Sequence, residues 1–279
     1  MEKILLVTDA KSLDMNALDF ACYIGRLTQS KITGVFLENL VAHEKPVFNQ
    51  MHSSPYLGWE IDTTTPEYFD KQSLTETNIA LFREACEKRG VRCCIHRDRG
   101  LPSSEVIEES RYADLIIADA ATSFNKRFEG TPTEFLKDVL KNAECPVIIA
   151  PENFEGIDEI IFTYNGSRSS AFAMKQFTYL FPEFFDKRAI VLNVNEEGTW
   201  ADPNKYNVKE WMQNHYSAIG FEVLQGNTED KLFDYLFKRK NIFLVMGAYG
   251  RSAVSRFFKR SHADLLINTI TQPIFIAHY

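Results

Sequence analysis

Two glycines followed by a basic segment form the pattern in this sequence that is best suited to hold an anion. Gly247 and Gly250 end the run "NIFLVMGAYG", and beyond them come Ser261 and four basic residues, Arg251, Arg256, Lys259 and Arg260. Glycine allows backbone N–H groups to approach a phosphate, and a loop that enters a helix attracts negative charge. We therefore expect an anion site at the end of a buried strand, where Ser261 donates its hydroxyl or caps the next helix.

The same residues also have ordinary structural interpretations. Gly247 and Gly250 are common turn residues, and a run of basic side chains is usually a solvated surface. The segment Ser261-His262-x-Asp264 contains the residue types of a hydrolase triad, but neighbours at this spacing on one helix cannot form the proton relay. No carboxylate pair at the strand ends indicates acid–base catalysis, so the sequence favours a binding protein over an enzyme.

The glycine loop lies in the second of two similar units. The segment "DLIIADAATS" from Asp114 aligns without a gap on "NIFLVMGAYG" from Asn241, at an offset of 127 residues. The openings "KILLVTDA" from Lys3 and "EIIFTYNG" from Glu159 align at an offset of 156. This repeat predicts two domains, residues 1–152 and 157–279, joined by a short boundary.

Each unit has the pattern of buried parallel strands that alternate with helices. Continuous apolar runs such as "ILLVTD" indicate buried strands, and in the second unit the segments 169–181, 207–218, 230–239 and 262–270 are predicted to be helical. The fold class is therefore α/β, with two tandem open parallel five-stranded sheets that carry helices on both faces and pack as a pseudo-dimer. We expect the closing strands, at 146–150 and 273–277, to meet and so remove two exposed sheet edges.

The two offsets differ by 29 residues, so the first unit carries an insertion of about that length. It falls near residues 41–72, between the second and third strands of the first unit. The segment mixes proline, histidine, serine and aromatic residues without a period. We expect an ordered surface excursion that packs its aromatic side chains, Tyr56, Trp59, Tyr68 and Phe69.

Composition limits the function classes. The chain has 279 residues, 45% of them apolar, and a net charge of −7, which argues against broad binding to nucleic acid. No apolar run is long enough to cross a bilayer and no signal peptide is apparent, so a cytoplasmic location without membrane attachment is expected. The five cysteines are expected to be buried free thiols. Neighbouring strand residues point to opposite faces, so Cys93-Cys94-x-His96 does not predict a metal site, and no metal is expected.

Three features together resemble the universal stress protein family. They are the turn "GLPSSEVI" at 100–107, the closing strands "CPVIIA" and "QPIFIA", and the glycine loop. The resemblance covers nearly the whole chain except the insertion, and tandem domains are frequent in this family. In its nucleotide-binding members the loop reads G-x2-G-x9-G-[S/T] and contacts the ribose and phosphates of ATP.

The resemblance implies an adenine-nucleotide site in the second unit. Gly247, Gly250 and Ser261 match the loop, whereas Arg260 stands at the position of the third glycine. Asn165 replaces the aspartate that ends the first strand in the family. Adenine is expected near Thr163 and the backbone of Val194, with the phosphates over the glycine loop. Met246 completes the predicted set of nucleotide-binding residues.

The resemblance implies no such site in the first unit. There Asp9 keeps the strand-end aspartate, and the sequence favours a cap of the first helix over a catalytic role for it. The four loop positions are Ala120, Ser123, Thr133 and Glu134. A carboxylate at Glu134, where a phosphate would lie, repels an anion, so we expect this unit to bind no ATP.

The resemblance thus implies a non-catalytic stress-response protein with one weak site for AMP, ADP, ATP or a small anion. This chain has Asn165 where the family has aspartate, and Arg260 where the family has glycine. Both differences favour a simple anion over a magnesium-bridged triphosphate. Two alternatives stay open, a partner-binding or structural stress protein without nucleotide and, with least support, a weak ATPase. Whether the chain forms a homodimer, and which protein partner it has, stay open as well.

Overall fold

The computed structural model describes residues 1–39, 65–125, 128–200, 203–247 and 272–277, apart from the side chain of residue 229. For residues 44–51 and 54–61 it describes the backbone alone. Among the described residues, no helix combines the length and apolar character needed to span a bilayer.

Four strands of the first half are mainly apolar and buried, because they are covered on both faces. Its strands are β1 (Lys3–Asp9), β2 (Lys31–Leu37), β3 (Glu44–Met51), β4 (Ser54–Ile61), β5 (Cys93–Asp98), β6 (Leu115–Ala118) and β7 (Val147–Ile149). Its helices are α1 (Met15–Leu27), α2 (Pro66–Lys88), α3 (Pro102–Ser110) and α4 (Glu134–Asn142).

Among its described residues, the second half has the same order of strands, with no counterpart of β3 and β4. Its strands are β8 (Glu159–Thr163), β9 (Arg188–Asn195), β10 (Ala218–Gln225), β11 (Ile242–Gly247) and β12 (Ile274–Ala277). Its described helices are α5 (Arg168–Leu180), α6 (Lys205–Gln213) and α7 (Thr228–Phe237). The predicted helix at 207–218 is wrong at its end, because α6 stops at Gln213 and residue 218 already begins β10. The predicted helix at 262–270 lies outside the described residues.

The two halves form one ten-stranded sheet, in the order β10-β9-β8-β11-β12-β7-β6-β1-β2-β5. Within each half, neighbouring strands are parallel. The halves join where β12 runs antiparallel to β7, with Phe275 opposite Ile148. The predicted fold class and the predicted meeting of the closing strands are therefore confirmed. The join pairs two strands that would otherwise leave their backbone groups exposed at sheet edges.

The helices cover both faces of this sheet, and one face is packed with aromatic rings. On that face the ring of Phe177 in α5 lies 4.9 Å from Phe243 and 5.2 Å from Phe275, measured between centroids. Phe20 of α1 also contacts Phe243, at 6.2 Å, although the two residues belong to different halves. Burial of such rings is the main favourable contribution to folding, and here it is shared across the join.

The insertion in the first half contains regular structure. Strands β3 and β4 form a separate antiparallel hairpin, in which Glu44 lies opposite Ile61 and Met51 opposite Ser54. Helix α2 then begins at Pro66, with the Thr65 hydroxyl accepting a hydrogen bond from the Tyr68 N–H. The expected packing of Phe69 is wrong, since this residue is 62% exposed.

Candidate functional site

Those predicted nucleotide-binding residues that the structure describes lie where β8, β9 and β11 end. Met246 lies beside Thr163 in the register of β11 and β8, and Thr163 lies beside Leu192 of β9. Val194 is two residues further along β9. In an open parallel sheet, ligands bind outside the carboxyl ends of the strands. The sequence predicted that Thr163, Val194, Met246 and Gly247 lie together at the carboxyl ends of these strands. The structure has them at that edge of the sheet.

Asn165 shapes the turn that leads from β8 into α5. Its side-chain oxygen accepts a hydrogen bond of 3.1 Å from the Ser167 N–H. The hydroxyl of Ser167 in turn accepts the Ser170 N–H at 3.2 Å and caps α5. Gly166 between them has φ +81°, a conformation that glycine adopts without strain. Asn165 thus has a structural role at the rim of the crevice, and it contributes no charge there.

Gly247 is a glycine for a reason that the sequence pattern did not reveal. A Cβ at this position would lie 2.4 Å from the carbonyl carbon of Ser169 and 2.5 Å from the Ser170 nitrogen. Real Cβ atoms do not approach backbone atoms this closely, so α5 can pack on the end of β11 only if residue 247 lacks a side chain. The close approach of α5 to β11 explains why residue 247 is a glycine. Contact of Gly247 with a phosphate stays a prediction.

Hydrogen bonds hold the polar side chains at the end of β9. Asn193 is buried, and its amide donates a 2.9 Å hydrogen bond to the carbonyl of Tyr164. Asn195 donates to the Asn193 side chain at 2.6 Å and accepts the Gly198 N–H at 2.8 Å. The Thr228 hydroxyl lies 3.5 Å from the carbonyl oxygen of Val194, at the upper limit for a hydrogen bond.

Three predicted site residues, Gly250, Arg260 and Ser261, lie outside the described residues. The same holds for Arg251, Arg256, Lys259, His262 and Asp264 of the basic segment. The assignment of phosphate contacts to these positions remains a prediction. Thr163 is described, and its hydroxyl donates to the carbonyl of Val245 at 3.1 Å.

The first half presents a different edge. Asp9 at the end of β1 corresponds to Asn165, and Asp119, just after β6, corresponds to Met246. Desolvation by burial raises the pKa of both carboxyls, and each also accepts a backbone N–H two residues along, from Lys11 at 3.0 Å and from Ala121 at 3.1 Å. Asp9 and Asp119 thus follow two neighbouring strands, and the absence of a carboxylate pair for acid–base catalysis stays a prediction.

The loop after β6 is closed by its own hydrogen bonds. Ser123 donates its hydroxyl to Glu129 at 2.8 Å, and Thr133 donates to the Thr122 carbonyl at 2.5 Å. Thr133 also caps α4, while Glu134 projects outward and pairs with Lys137 at 2.6 Å. Asp119 lies nearer to the strand ends than Glu134 does, and its carboxylate repels an anion there. The sequence did not point to Asp119, because the residue follows the apolar run "LIIA" and looks like part of a loop.

The suggested cap at Asp9 is also wrong. Helix α1 is capped by Asp14, whose carboxylate accepts the N–H groups of Asn16 at 2.7 Å and Ala17 at 3.1 Å. Asp9 instead holds the turn between β1 and α1 through Lys11.

The cysteines are free thiols, as predicted, but only two are fully buried. The sulfurs of Cys22 and Cys86 lie 4.0 Å apart in the core, while Cys93, Cys94 and Cys145 are half-buried. Among the described residues, no three His, Cys, Asp or Glu side chains are arranged to hold a metal ion.

Solved structures with this fold include universal stress proteins. A universal stress protein from Archaeoglobus fulgidus DSM 4304 is similar, with a TM-score of 0.68 and 16% identity, over 99% of this chain and 96% of that chain. A candidate universal stress protein from Pseudomonas aeruginosa UCBPP-PA14 is similar, with a TM-score of 0.56 and 13% identity, over 100% and 93%. A functionally unknown protein from Pseudomonas aeruginosa PAO1 matches over 100% and 92%, at a TM-score of 0.54 and 13% identity.

The chain matches no protein-family model, and no curated protein matches it significantly. The similarity to the solved structures confirms the expected resemblance to universal stress proteins at the level of the fold, over the full length of the chain.

Proposed function

We propose that this protein is a non-catalytic universal stress protein that binds one adenine nucleotide or small anion, at the edge formed by β8, β9 and β11. The observation that carries the proposal is the charge difference between the two halves. The strand-end positions that hold Asp9 and Asp119 in the first half hold Asn165 and Met246 in the second. An anion therefore meets two fewer carboxylates at the second edge than at the first.

The proposed ligand lies with its base beside Thr163 and the backbone of Val194. Its phosphate lies beyond Gly247, towards Gly250, Arg260 and Ser261. With neutral Asn165 at the strand end and Arg260 in the loop, the site favours an anion without a metal. We expect weak, magnesium-independent binding of AMP, ADP or a simple anion in preference to tight binding of Mg-ATP.

Isothermal titration calorimetry on the full-length protein tests this proposal. We expect AMP to bind with the same affinity with magnesium or with EDTA, and Arg260→Gly to weaken AMP while improving Mg-ATP. A wild-type protein that binds Mg-ATP tightly, with no gain in the glycine variant, would contradict the charge argument. A thermal-shift measurement gives an independent readout, because a ligand that binds the native state raises the melting temperature.

A second candidate function is that of a partner-binding protein without nucleotide. It is favoured by one observation, that the packing of α5 already accounts for Gly247. If neither AMP, ADP, ATP nor phosphate changes the melting temperature or releases heat, this second function replaces the first. A steady release of phosphate from Mg-ATP that disappears in Arg260→Gly would instead identify a weak ATPase.

A further inference from the structure

A cavity of about 390 Å³ opens between α5 and α6, on the other side of the β8–α5 turn from the proposed nucleotide site. Its apolar wall consists of Tyr164, Ala171, Met174, Val208 and Trp211. Tyr164 and Met174 belong to the core on the α5–α6 face, whereas Val194 and Met246 pack against the core on the opposite face. The cavity is therefore separate from the edge that holds the proposed nucleotide.

The cavity has the properties of a small-molecule site. Its volume lies in the range of roughly 300–1,000 Å³ that is usual for ligand pockets, and such pockets have mainly apolar and aromatic walls. Tyr164 is 4% exposed, and its ring is stacked on Trp200 at 5.8 Å with an interplanar angle of 12°. This stacking fixes the orientation of the Tyr164 ring at the inner end of the cavity.

Aromatic rings continue from the cavity to the surface. Trp211 lies 4.4 Å from the ring of His215 and 6.3 Å from Tyr179, measured between centroids. Tyr179 is 56% exposed. Trp211 thus connects the cavity wall to an aromatic ring exposed at the surface.

The charge at the mouth of the cavity is opposite to that of the whole protein. Arg168 and Lys175 of α5 lie among its lining residues, and no acidic residue is found among the described residues that line it. The whole chain carries a net charge of −7. Lys175 places its ammonium 5.9 Å from the ring centre of Tyr179, at the aromatic entrance. A ligand with one negative group would therefore find a cation beside the aromatic wall.

The first half shows that the fold does not require this cavity. There the helix that follows the second strand of the large sheet, α2, has 23 residues, whereas its counterpart α6 has nine. Asn78 of α2 donates a 3.0 Å hydrogen bond to the carbonyl of Ala10, which is 1% exposed. Gly166, the counterpart of Ala10, is exposed and lines the cavity. The same place is closed by a helix in one half and open in the other.

From these observations we propose that the cavity between α5 and α6 binds a small planar ligand that carries an aromatic ring and one anionic group. The ring lies against Tyr164 and Trp211, and the anion lies beside Lys175 and Arg168. This site is independent of the proposed nucleotide site and does not rest on it.

Calorimetry with a matched pair of probes tests the inference on the full-length protein. We expect 2-naphthoate, an aromatic carboxylate, to bind with a Kd of roughly 0.1–1 mM, as suits a ligand of this size. The neutral amide, 2-naphthamide, should bind at least about fivefold more weakly. Binding of 2-naphthoate should be unchanged by saturating AMP, which separates this cavity from the nucleotide edge.

Three variants locate the probe. Ala171→Trp fills the cavity and should abolish binding of both probes. Lys175→Gln should weaken 2-naphthoate about fivefold and leave 2-naphthamide unchanged. Lys209→Gln, the matched control, makes the same change of charge on the exposed part of α6 outside the cavity and should have no effect.

The inference is overturned if 2-naphthoate shows no binding at millimolar concentration, or if Lys175→Gln and Lys209→Gln behave alike. It is also overturned if a folded Ala171→Trp protein binds the probe as the wild type does. If circular dichroism shows Ala171→Trp to be unfolded, Val208→Phe fills the cavity from α6 and decides the same question.

Discussion

The carboxyl ends of the two halves of the sheet differ in charge and in closure, although the backbone that builds them is the same. In the first half, Asp9 and Asp119 occupy the strand ends, and Gln72 of α2 donates a 3.1 Å hydrogen bond to the buried Glu38. Arg97 also pairs with Glu38, so side chains of the protein fill this edge. In the second half the corresponding strand ends are Asn165 and Met246. A duplicated fold can therefore keep its architecture while one copy satisfies its polar groups internally.

The largest expected effect concerns packing at the end of β11. Gly247→Ala should lower the free energy of unfolding by about 3 kcal/mol, because the new Cβ overlaps the backbone of Ser169 and Ser170. The reverse change in the first half, Ala120→Gly, should cost only about 1 kcal/mol, since it removes one buried methyl group. Urea denaturation measures both. Equal losses in the two variants would show that the two strand ends pack alike.

The next effect concerns the loop that distinguishes the halves. Gly250→Asp should weaken AMP at least roughly 100-fold, because a carboxylate then faces the phosphate. Ser123→Ala, at the corresponding position of the first half, should leave AMP binding unchanged. Calorimetry on both variants provides the test. An equal loss in Ser123→Ala would place the nucleotide in the wrong half.

A charge exchange at the strand end should have a smaller effect. Met246→Asp gives the second half the carboxylate that the first half has at Asp119, and it should weaken AMP about tenfold, or about 1.4 kcal/mol. Met246→Leu keeps the shape without the charge and serves as the control. Comparable loss in Met246→Leu would mean that packing, and not charge, separates the halves.

The smallest effect is on the pH dependence of stability. Burial raises the pKa of Asp119 in the folded state, so its ionisation opposes folding, and its contribution to stability falls as pH rises through that raised pKa. Asp119→Asn should therefore unfold at a higher urea concentration than the wild type at pH 7, and the difference should vanish below the unfolded pKa of about 3.9. Asp186→Asn makes the same change of charge at an exposed position and is the matched control. A constant difference across this range would show that Asp119 acts through packing.

The sequence predicted the large sheet well, because two signals agreed along most of the chain. The gapless repeat and the apolar runs each located the same strands, and the matched closing strands predicted the pairing of β7 with β12. The hairpin of β3 and β4 was missed because the insertion has no second copy to align with. The end of α6 was misplaced since "HYSAIGFEV" carries no proline and its single glycine lies inside β10.

The strand ends that carry the candidate site were predicted in position, whereas binding of a nucleotide there stays a prediction. Thr163, Val194 and Met246 were found because strand ends can be located from apolar runs. The role of Gly247 was missed, because contact with Ser169 depends on how closely α5 approaches β11, which no local pattern encodes. Asp119 was missed because it follows a strand of four residues, where an aspartate looks like the start of a turn.

The antiparallel join of β7 and β12 has a consequence for stoichiometry. Because both strands belong to one polypeptide, closure of the join is a unimolecular event and does not depend on protein concentration. Nor does symmetry oblige the two halves to carry the same residues, as it does in an assembly of identical copies. A nucleotide that binds only the second half should therefore saturate at one molecule per chain, with a hyperbolic isotherm and a Hill coefficient of one at every dilution.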